Sequence, residues 1–424
     1  MTSAVHSSGR VVVIGAGAAG TMAAVFAADS GAETILLERT ADGGRKILIS
    51  GGGRCNILPS KLDESRFISD SSHHSLRKIL QGWSLPDQRE FFERDAGIPL
   101  VEEEESGKLF PASNKARDVR DRLLALAARK GARFLPRARV TGLHPARGGW
   151  RVEMEHADPV EAGAVIVATG GLSVPQTGSD GGGLSIVAIL GHTVHPLYPA
   201  LTPLHAGTTP FTALAGISLD VTMTARDDAG GRNAKATGGF LFTHHGFSGP
   251  SVLDVSHVAV RAREAGGKPA RLTVQWTQLD EESWKKTLAS GGARLVVNML
   301  RLEMPARLAD VLMSVARVDP SRTLANLRRE ERIRLIDALV RCELPCTGDA
   351  GYQKAEVTGG GISLAEIDPR TMESRRHPGL FLCGEMLDAF GPIGGYNFLW
   401  AWVTGRAAGR SAARAMCDRS EGSS

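Results

Sequence analysis

The chain has 424 residues, 42% hydrophobic and 23% charged, which excludes a disordered or fibrous protein and allows two or three domains. Fifty Lys plus Arg against 46 Asp plus Glu leave a net charge of +4, too mild a bias to argue for a nucleic-acid partner without a local patch. Five scattered cysteines exclude a disulfide framework, and 50 glycines, about 12% against a usual ~7%, point to many tight turns or close approaches to a ligand.

Val11 to Ala28 is a stretch of eighteen uncharged residues after Arg10, superficially a leader or a short membrane helix. Its glycines argue against both, and no other stretch is apolar enough to span a bilayer, so a soluble cytoplasmic protein without a membrane partner is expected. Val11–Ile14 reads instead as a buried parallel strand, followed by the loop GAGAAG and an Ala-rich helix from Thr21 to Ser30 that Gly31 closes. Thr34–Leu37 resumes a strand and ends at Glu38, eighteen residues after Gly20.

Each part of this unit has a physical task in holding a dinucleotide. Gly15 permits the turn, Gly17 lets the backbone approach a pyrophosphate, and Gly20 allows the helix to pack on the strand. The helix N-terminus offers free N–H groups to phosphate. Glu38 can accept from both hydroxyls of an adenosine ribose, and its charge disfavours a 2′-phosphate and hence NADP at this site.

Next in order come the SGGGRCN loop (Ser50 to Asn56), with Arg45, Lys46 and Arg54 available to an anion, and the strand VIVATGG (Val165 to Gly171). After Gly191 the pattern changes to short β-like runs at Ser218–Thr224, Gly239–Thr243 and Arg271–Trp276, then to helical periodicity over Leu295–Val318 and Thr323–Val340. The nine arginines from Arg301 to Arg341 alternate with Glu303, Asp310, Asp319, Glu330, Glu331 and Asp337, which reads as solvated helix faces rather than an RNA-binding surface. Near the C-terminus, a strand leads into Gly384, Glu385, Asp388 and a GGYN turn opening a helix. A return to the nucleotide fold at the far end of the chain suits FAD over NAD. The N–H groups of Gly395 to Phe398 would stabilise the negative pyrimidine edge of a reduced flavin, with Asp388 placed for ribityl or ribose hydroxyls.

Several long segments carry a resemblance. GGRKILISGGGRCN (Gly43 to Asn56), LFPASNKARDV, ATGGLSVPQTGSDGGG, GHTV with PALTPL, LFTHHGFSGPSVLDVS, EVTGGGISLAEIDPRTMES and CGEMLDAFGPIGGYNF together make the chain similar, nearly end to end, to the BaiN/YhiN-like flavoproteins. That family includes aminoacetone oxidase-type enzymes within the glutathione reductase-like FAD superfamily. Leu399 and Phe390 stand where members often have polar residues, so substrate specificity need not carry over. The resemblance implies an α/β Rossmann-like FAD-binding fold made by the two ends of the chain, 1–190 and 346–424. An inserted domain over 191–345 would be β-rich at about 195–278 and helical at about 280–345. Only 1–9 and 418–424 are expected to be disordered.

The expected cofactor contacts follow. At the first turn they are Gly15, Ala16, Gly17, Ala18, Ala19 and Gly20, with Glu38 and Arg39 at the end of the next strand. Arg45, Lys46 and the loop Ser50, Gly51, Gly52, Gly53, Arg54, Cys55 and Asn56 border the flavin by resemblance, and Val140 joins them. Ala168, Thr169, Gly170 and Gly171 follow, then Gly384, Glu385, Asp388, Gly394, Gly395, Tyr396, Asn397 and Phe398. Cys55 reads as a buried thiol rather than a redox centre, since no partner Cys stands near it. Cys342 and Cys346, spaced CELPC, read as ordinary thiols.

His244 and His245, adjacent in a Gly-rich turn, are the candidates for general acid–base chemistry, with a structural turn role as the alternative; Tyr396 and Lys115 come second. No cluster has metal-ligand spacing, so no metal is expected. The leading functional expectation is an FAD-dependent oxidoreductase moving hydride between a small organic substrate and flavin N5, as an amine or aminoketone oxidase using oxygen. The alternatives are a reductase of an unsaturated or ketone substrate fed by NAD(P)H as a transient donor, and an RNA-acting or regulatory flavoprotein. A single complete dinucleotide fingerprint favours the oxidase or a transient nicotinamide site.

Overall fold

A computed structural model describes residues 9–421. The expected terminal disorder falls mostly outside these residues, but Asp418–Glu421 complete the last helix, Tyr396–Glu421. The chain divides into two compact units, Met1–Leu197 with Val357–Ser424 and Tyr198–Glu356.

The first unit is built on a five-stranded sheet in the order Leu380–Leu382, Ala164–Val167, Arg10–Ile14, Glu33–Glu38, Arg133–Pro136, every neighbour pair parallel. Strands covered on both faces need apolar side chains at consecutive positions, and Val11–Ile14 and Ala164–Val167 are buried along their whole length. The helix Ala18–Asp29 leaves the first strand and packs along the last helix. Small residues set that approach: a Cβ at Gly405 would lie 2.4 Å from the Ala19 carbonyl oxygen, and one at Gly409 would lie 2.3 Å from that of Ala23. Two small antiparallel sheets complete the unit, Leu58–Pro59 with Lys108–Pro111 and Leu100–Glu103, and a meander of Val140–Ala146, Gly149–Met154 and Ala157–Ala162.

The second unit centres on a seven-stranded antiparallel sheet whose longest pair is Ser218–Asp227 with Arg232–Phe242. Val221, Met223, Ala225 and Asp227 alternate inward along the first of these, the period-2 pattern of a sheet covered on one face. The helix Pro250–Glu264 packs on both strands. Trp276 and Trp284 lie fully buried among the surrounding helices, and Trp276 Nε1 donates to Ala338 O at 3.1 Å.

Three sequence expectations differ from this arrangement. Leu295–Val318 is two helices, Val296–Leu300 and Ala306–Val315, because Pro305 supplies no N–H to continue a helix. Thr323–Val340 begins as a short 3-10 turn, and its α-helix starts only at Arg329, where the Glu331 carboxylate accepts from Arg328 N at 3.0 Å. The second unit runs over 198–356 rather than 191–345. Within it, Gly348–Asp349 pairs with Leu204–His205. No helix among the described residues is long and apolar enough to cross a membrane.

Candidate functional site

The glycines of the first turn divide by what surrounds them. Gly15 has φ +98°, and a Cβ there would lie 2.6 Å from the Ala168 carbonyl oxygen; at Gly20 it would lie 1.8 Å from Gly15 O. Gly17 is the opposite case, with nothing within 4 Å of the corresponding position. Two glycines therefore close the turn and one leaves open space beside the N-terminus of Ala18–Asp29, where Ala18 and Ala19 present backbone N–H groups.

Glu38 is 8% exposed and ties the second strand back to this turn. Its Oε2 accepts from Ala16 N at 2.8 Å, and its Oε1 accepts from Thr40 N and Thr40 Oγ1, both at 2.7 Å. A carboxylate offers about four acceptor sites, so three donors leave room for a ribose hydroxyl. Across the turn, Gly170 has φ +75°, and Gly171 packs on Thr358, where a Cβ would lie 2.3 Å from Oγ1. Thr169 Oγ1 is buried without a hydrogen-bond partner. An orphaned hydroxyl, open space at Gly17 and spare acceptor capacity at Glu38 are what a bound dinucleotide would satisfy, so these residues fit one.

The SGGGRCN loop takes left-handed conformations at Gly51, Gly52, Gly53 and Cys55, which keeps side chains off one stretch of backbone. Burial pushes the Cys55 thiol up to about 12, so it is an unreactive neutral group. Asn56 joins the loop to the last helix: its amide donates to Leu58 O at 3.1 Å and accepts from Gly395 N at 3.0 Å. Gly394 and Gly395 have φ +121° and +91°, and a Cβ at Gly395 would lie 2.5 Å from Leu58 C. Phe398, half-buried on the first turn of the last helix, stacks on Trp402.

The basic side chains named as cofactor contacts already have carboxylate partners. Arg39 pairs with Asp180, Arg45 with Asp42 at 2.7 Å and Arg54 with Glu103 at 3.0 Å. Lys46 Nζ lies 2.6 Å from Glu385 Oε2 and also reaches Ser173. Ser173 Oγ and Thr358 N donate to Glu385 Oε1 at 2.6 and 3.0 Å. Burial opposes the Glu385 charge, but Lys46 and these donors outweigh it and hold its pKa below the usual carboxylate value. Ser173 and Thr358 belong to motifs visible in the sequence, yet nothing in their spacing marks them as partners of Glu385.

Asp388 is 1% exposed and committed within the protein: Oδ2 accepts from Asp70 N at 3.0 Å, Ser71 Oγ at 2.7 Å and Ser69 Oγ at 3.1 Å, and it lies 3.6 Å from His195 Nε2. Tyr396 is also enclosed, with its hydroxyl donating to Lys61 O at 3.2 Å, so it is not an open acid. Asn397 bonds both N and O of Gly391 at 2.9 Å and fixes the loop before the last helix. Gly384 accepts from Trp400 Nε1 at 3.0 Å and sits against Ala19. Val140 opens a meander strand as a half-buried residue, and Lys115 is exposed just before the helix Ala116–Arg129. His244 and His245 are exposed in the second unit, where His245 N donates to Thr243 Oγ1 at 3.3 Å. No motif or spacing singles out Ser71 or His195.

Known proteins resemble the chain over nearly its whole length. A family model described as HI0933-like protein Rossmann domain matches residues 9–411. The chain is 31% identical over 414 residues to the 3-dehydro-bile acid delta(4,6)-reductase of Clostridium scindens, covering 95% of this chain and 99% of that protein. It is 30% identical over 411 residues to the ribosomal RNA dihydrouridine synthase of Escherichia coli, covering 92% and 94%. Among solved structures it is similar to the 3-ketosteroid-delta4-(5alpha)-dehydrogenase of Rhodococcus jostii, with a TM-score of 0.49 and 18% identity over 97% of this chain and 98% of that one.

Proposed function

The chain belongs to the HI0933-like Rossmann-domain family and is an FAD-dependent oxidoreductase, and on that premise we propose that it reduces a carbon–carbon double bond conjugated to a carbonyl in an organic substrate. The observation that carries this reading is the chemistry shared by two relatives matched over nearly their whole length. A delta(4,6)-reductase acting on a 3-dehydro bile acid and an enzyme that makes dihydrouridine both saturate such a bond. This favours the reductase over the amine oxidase that the single fingerprint suggests, with NADH or NADPH as the electron donor.

Bound FAD supplies the hydride chemistry, and the protein holds and orients it. Gly17 and the N–H groups of Ala18 and Ala19 would take the pyrophosphate, Glu38 the adenosine ribose and Thr169 a polar group of the nucleotide. The N-terminus of the last helix, opened by Gly394 and Gly395, would face the pyrimidine edge and stabilise negative charge there. The glycine loop Gly51–Gly53 would lie along the ring.

A nucleobase in RNA is the second reading, favoured by the relative named for ribosomal RNA. Both are tested on the anaerobic holoprotein. NADH or NADPH is expected to bleach the visible band, and either a 3-oxo-4,6-diene steroid or a uridine-containing RNA to restore it. Bleaching by aminoacetone with rapid recovery in oxygen, and no response to either alkene, would overturn the reductase reading in favour of the oxidase.

A further inference from the structure

Saturating a conjugated double bond consumes a proton as well as a hydride, and some side chain must hold that proton. Most titratable groups around the cradle are committed elsewhere. Lys46 and Glu385 neutralise each other, and burial pushes the thiols of Cys55 and Cys383 up. Tyr396 gives its hydroxyl proton to Lys61 O. His192 is enclosed against Glu366 and Ser374, and His377 Nε2 lies 2.6 Å from Leu190 O.

His195 differs from all of these. Its side chain is 25% exposed, and its Nε2 lies 3.6 Å from Asp388 Oδ2 and 3.5 Å from Ser71 Oγ. Its Nδ1 meets no partner among the described residues. Asp388, with its side chain 2% exposed, has no other charged partner among them. Ser71 Oγ also accepts from Leu364 N at 3.0 Å, so the serine is held between the carboxylate and the imidazole. Asp388 begins the loop that Asn397 fastens to the start of the last helix. The imidazole is thereby tied to the segment that would hold the flavin ring.

We propose that His195 is the acid that protonates the substrate, with Asp388 and Ser71 as the positioning residues that hold its ring. The proposal rests on the alkene-reductase reading. Asp388 and Ser71 both face Nε2 and favour the proton there, which leaves Nδ1 as the donating atom. In one turnover the double bond opens, one carbon taking a hydride from the reduced cofactor and the other taking the Nδ1 proton. Two C–H bonds form, the imidazole recovers a proton from water, and a nicotinamide donor restores the cofactor. The carboxylate beside the ring is that of Asp388; Glu366 is occupied by His192, Thr193 and Arg376.

The test has two arms. Nitrogen-15 NMR of the labelled protein is expected to find neutral His195 protonated on Nε2, and Asp388→Asn to raise the share of the Nδ1-protonated tautomer. Dithionite-reduced His195→Gln is expected to be reoxidised by ferricyanide at the wild-type rate. Its reoxidation by a 3-oxo-4,6-diene steroid or a uridine-containing RNA, whichever the wild type reduces, should slow about 100-fold or more. A proton on Nδ1 of neutral His195, or alkene reduction by His195→Gln at the wild-type rate, overturns the assignment, and the second criterion stands even if Asp388→Asn does not fold. A wild type that reduces ferricyanide but neither alkene shows instead that the reductase reading has failed, and the acid loses its reaction with it.

Discussion

Glu38 and Thr169 would serve the same ligand but differ in what they do without it. Glu38 accepts three protein hydrogen bonds, so Glu38→Ala should lower both FAD retention and the stability of the cofactor-free protein. Each lost charged bond is worth on the order of 1–3 kcal/mol. Thr169 Oγ1 has no protein partner, so Thr169→Val should leave cofactor-free stability within about 0.5 kcal/mol and weaken FAD binding alone. Melting curves with and without cofactor distinguish the two, and an equal loss of cofactor-free stability would refute the contrast. Lys46 and Glu385 give a pH prediction. The folded pKa of Glu385 lies below its unfolded value of about 4.3, so its contribution is complete above that pH and is lost as the pH falls through the lower, folded value. Lys46→Met should remove that contribution, about 1–3 kcal/mol at neutral pH for a pair only partly exposed, and should flatten the acid limb of the stability profile. An unchanged profile would show that the pair is inert.

At the scale of elements, the packing of the first helix on the last depends on two missing Cβ atoms. Ala at position 409 gains about 1 kcal/mol of helix propensity over Gly. The added carbon would meet the Ala23 carbonyl oxygen at 2.3 Å, and overpacking of that kind costs about 1–3 kcal/mol. The clash should win, so Gly409→Ala is expected to lower the melting temperature, and a rise would show that the helices yield. The elements also show what was readable beforehand. The strand, turn, helix and acid of 10–38 could be read because each task falls on neighbouring residues. The break at Pro305 was hidden by apolar spacing that continues across it, and the helix Pro250–Glu264 lay within a segment read only as a motif.

At the scale of the whole molecule, the first unit takes its sheet from both ends of the chain, with Leu380–Leu382 beside Ala164–Val167. The glycine-rich segments that form the candidate site were legible one by one. What was not legible is who answers whom across hundreds of residues. Lys46 meets Glu385, Asn56 meets Gly395, and His195 meets an Asp388 that was expected to face a ligand. Such pairings depend on tertiary placement, which no local spacing encodes.

The central claim is that these dispersed segments make one FAD cradle, and the most direct measurement is identification and titration of the cofactor on the purified protein. The account expects a yellow protein that releases FAD at about one per chain, or a colourless one that takes up added FAD to that stoichiometry and melts at a higher temperature with it. A protein that carries no flavin, binds none when supplied and gains no stability from it would contradict the account.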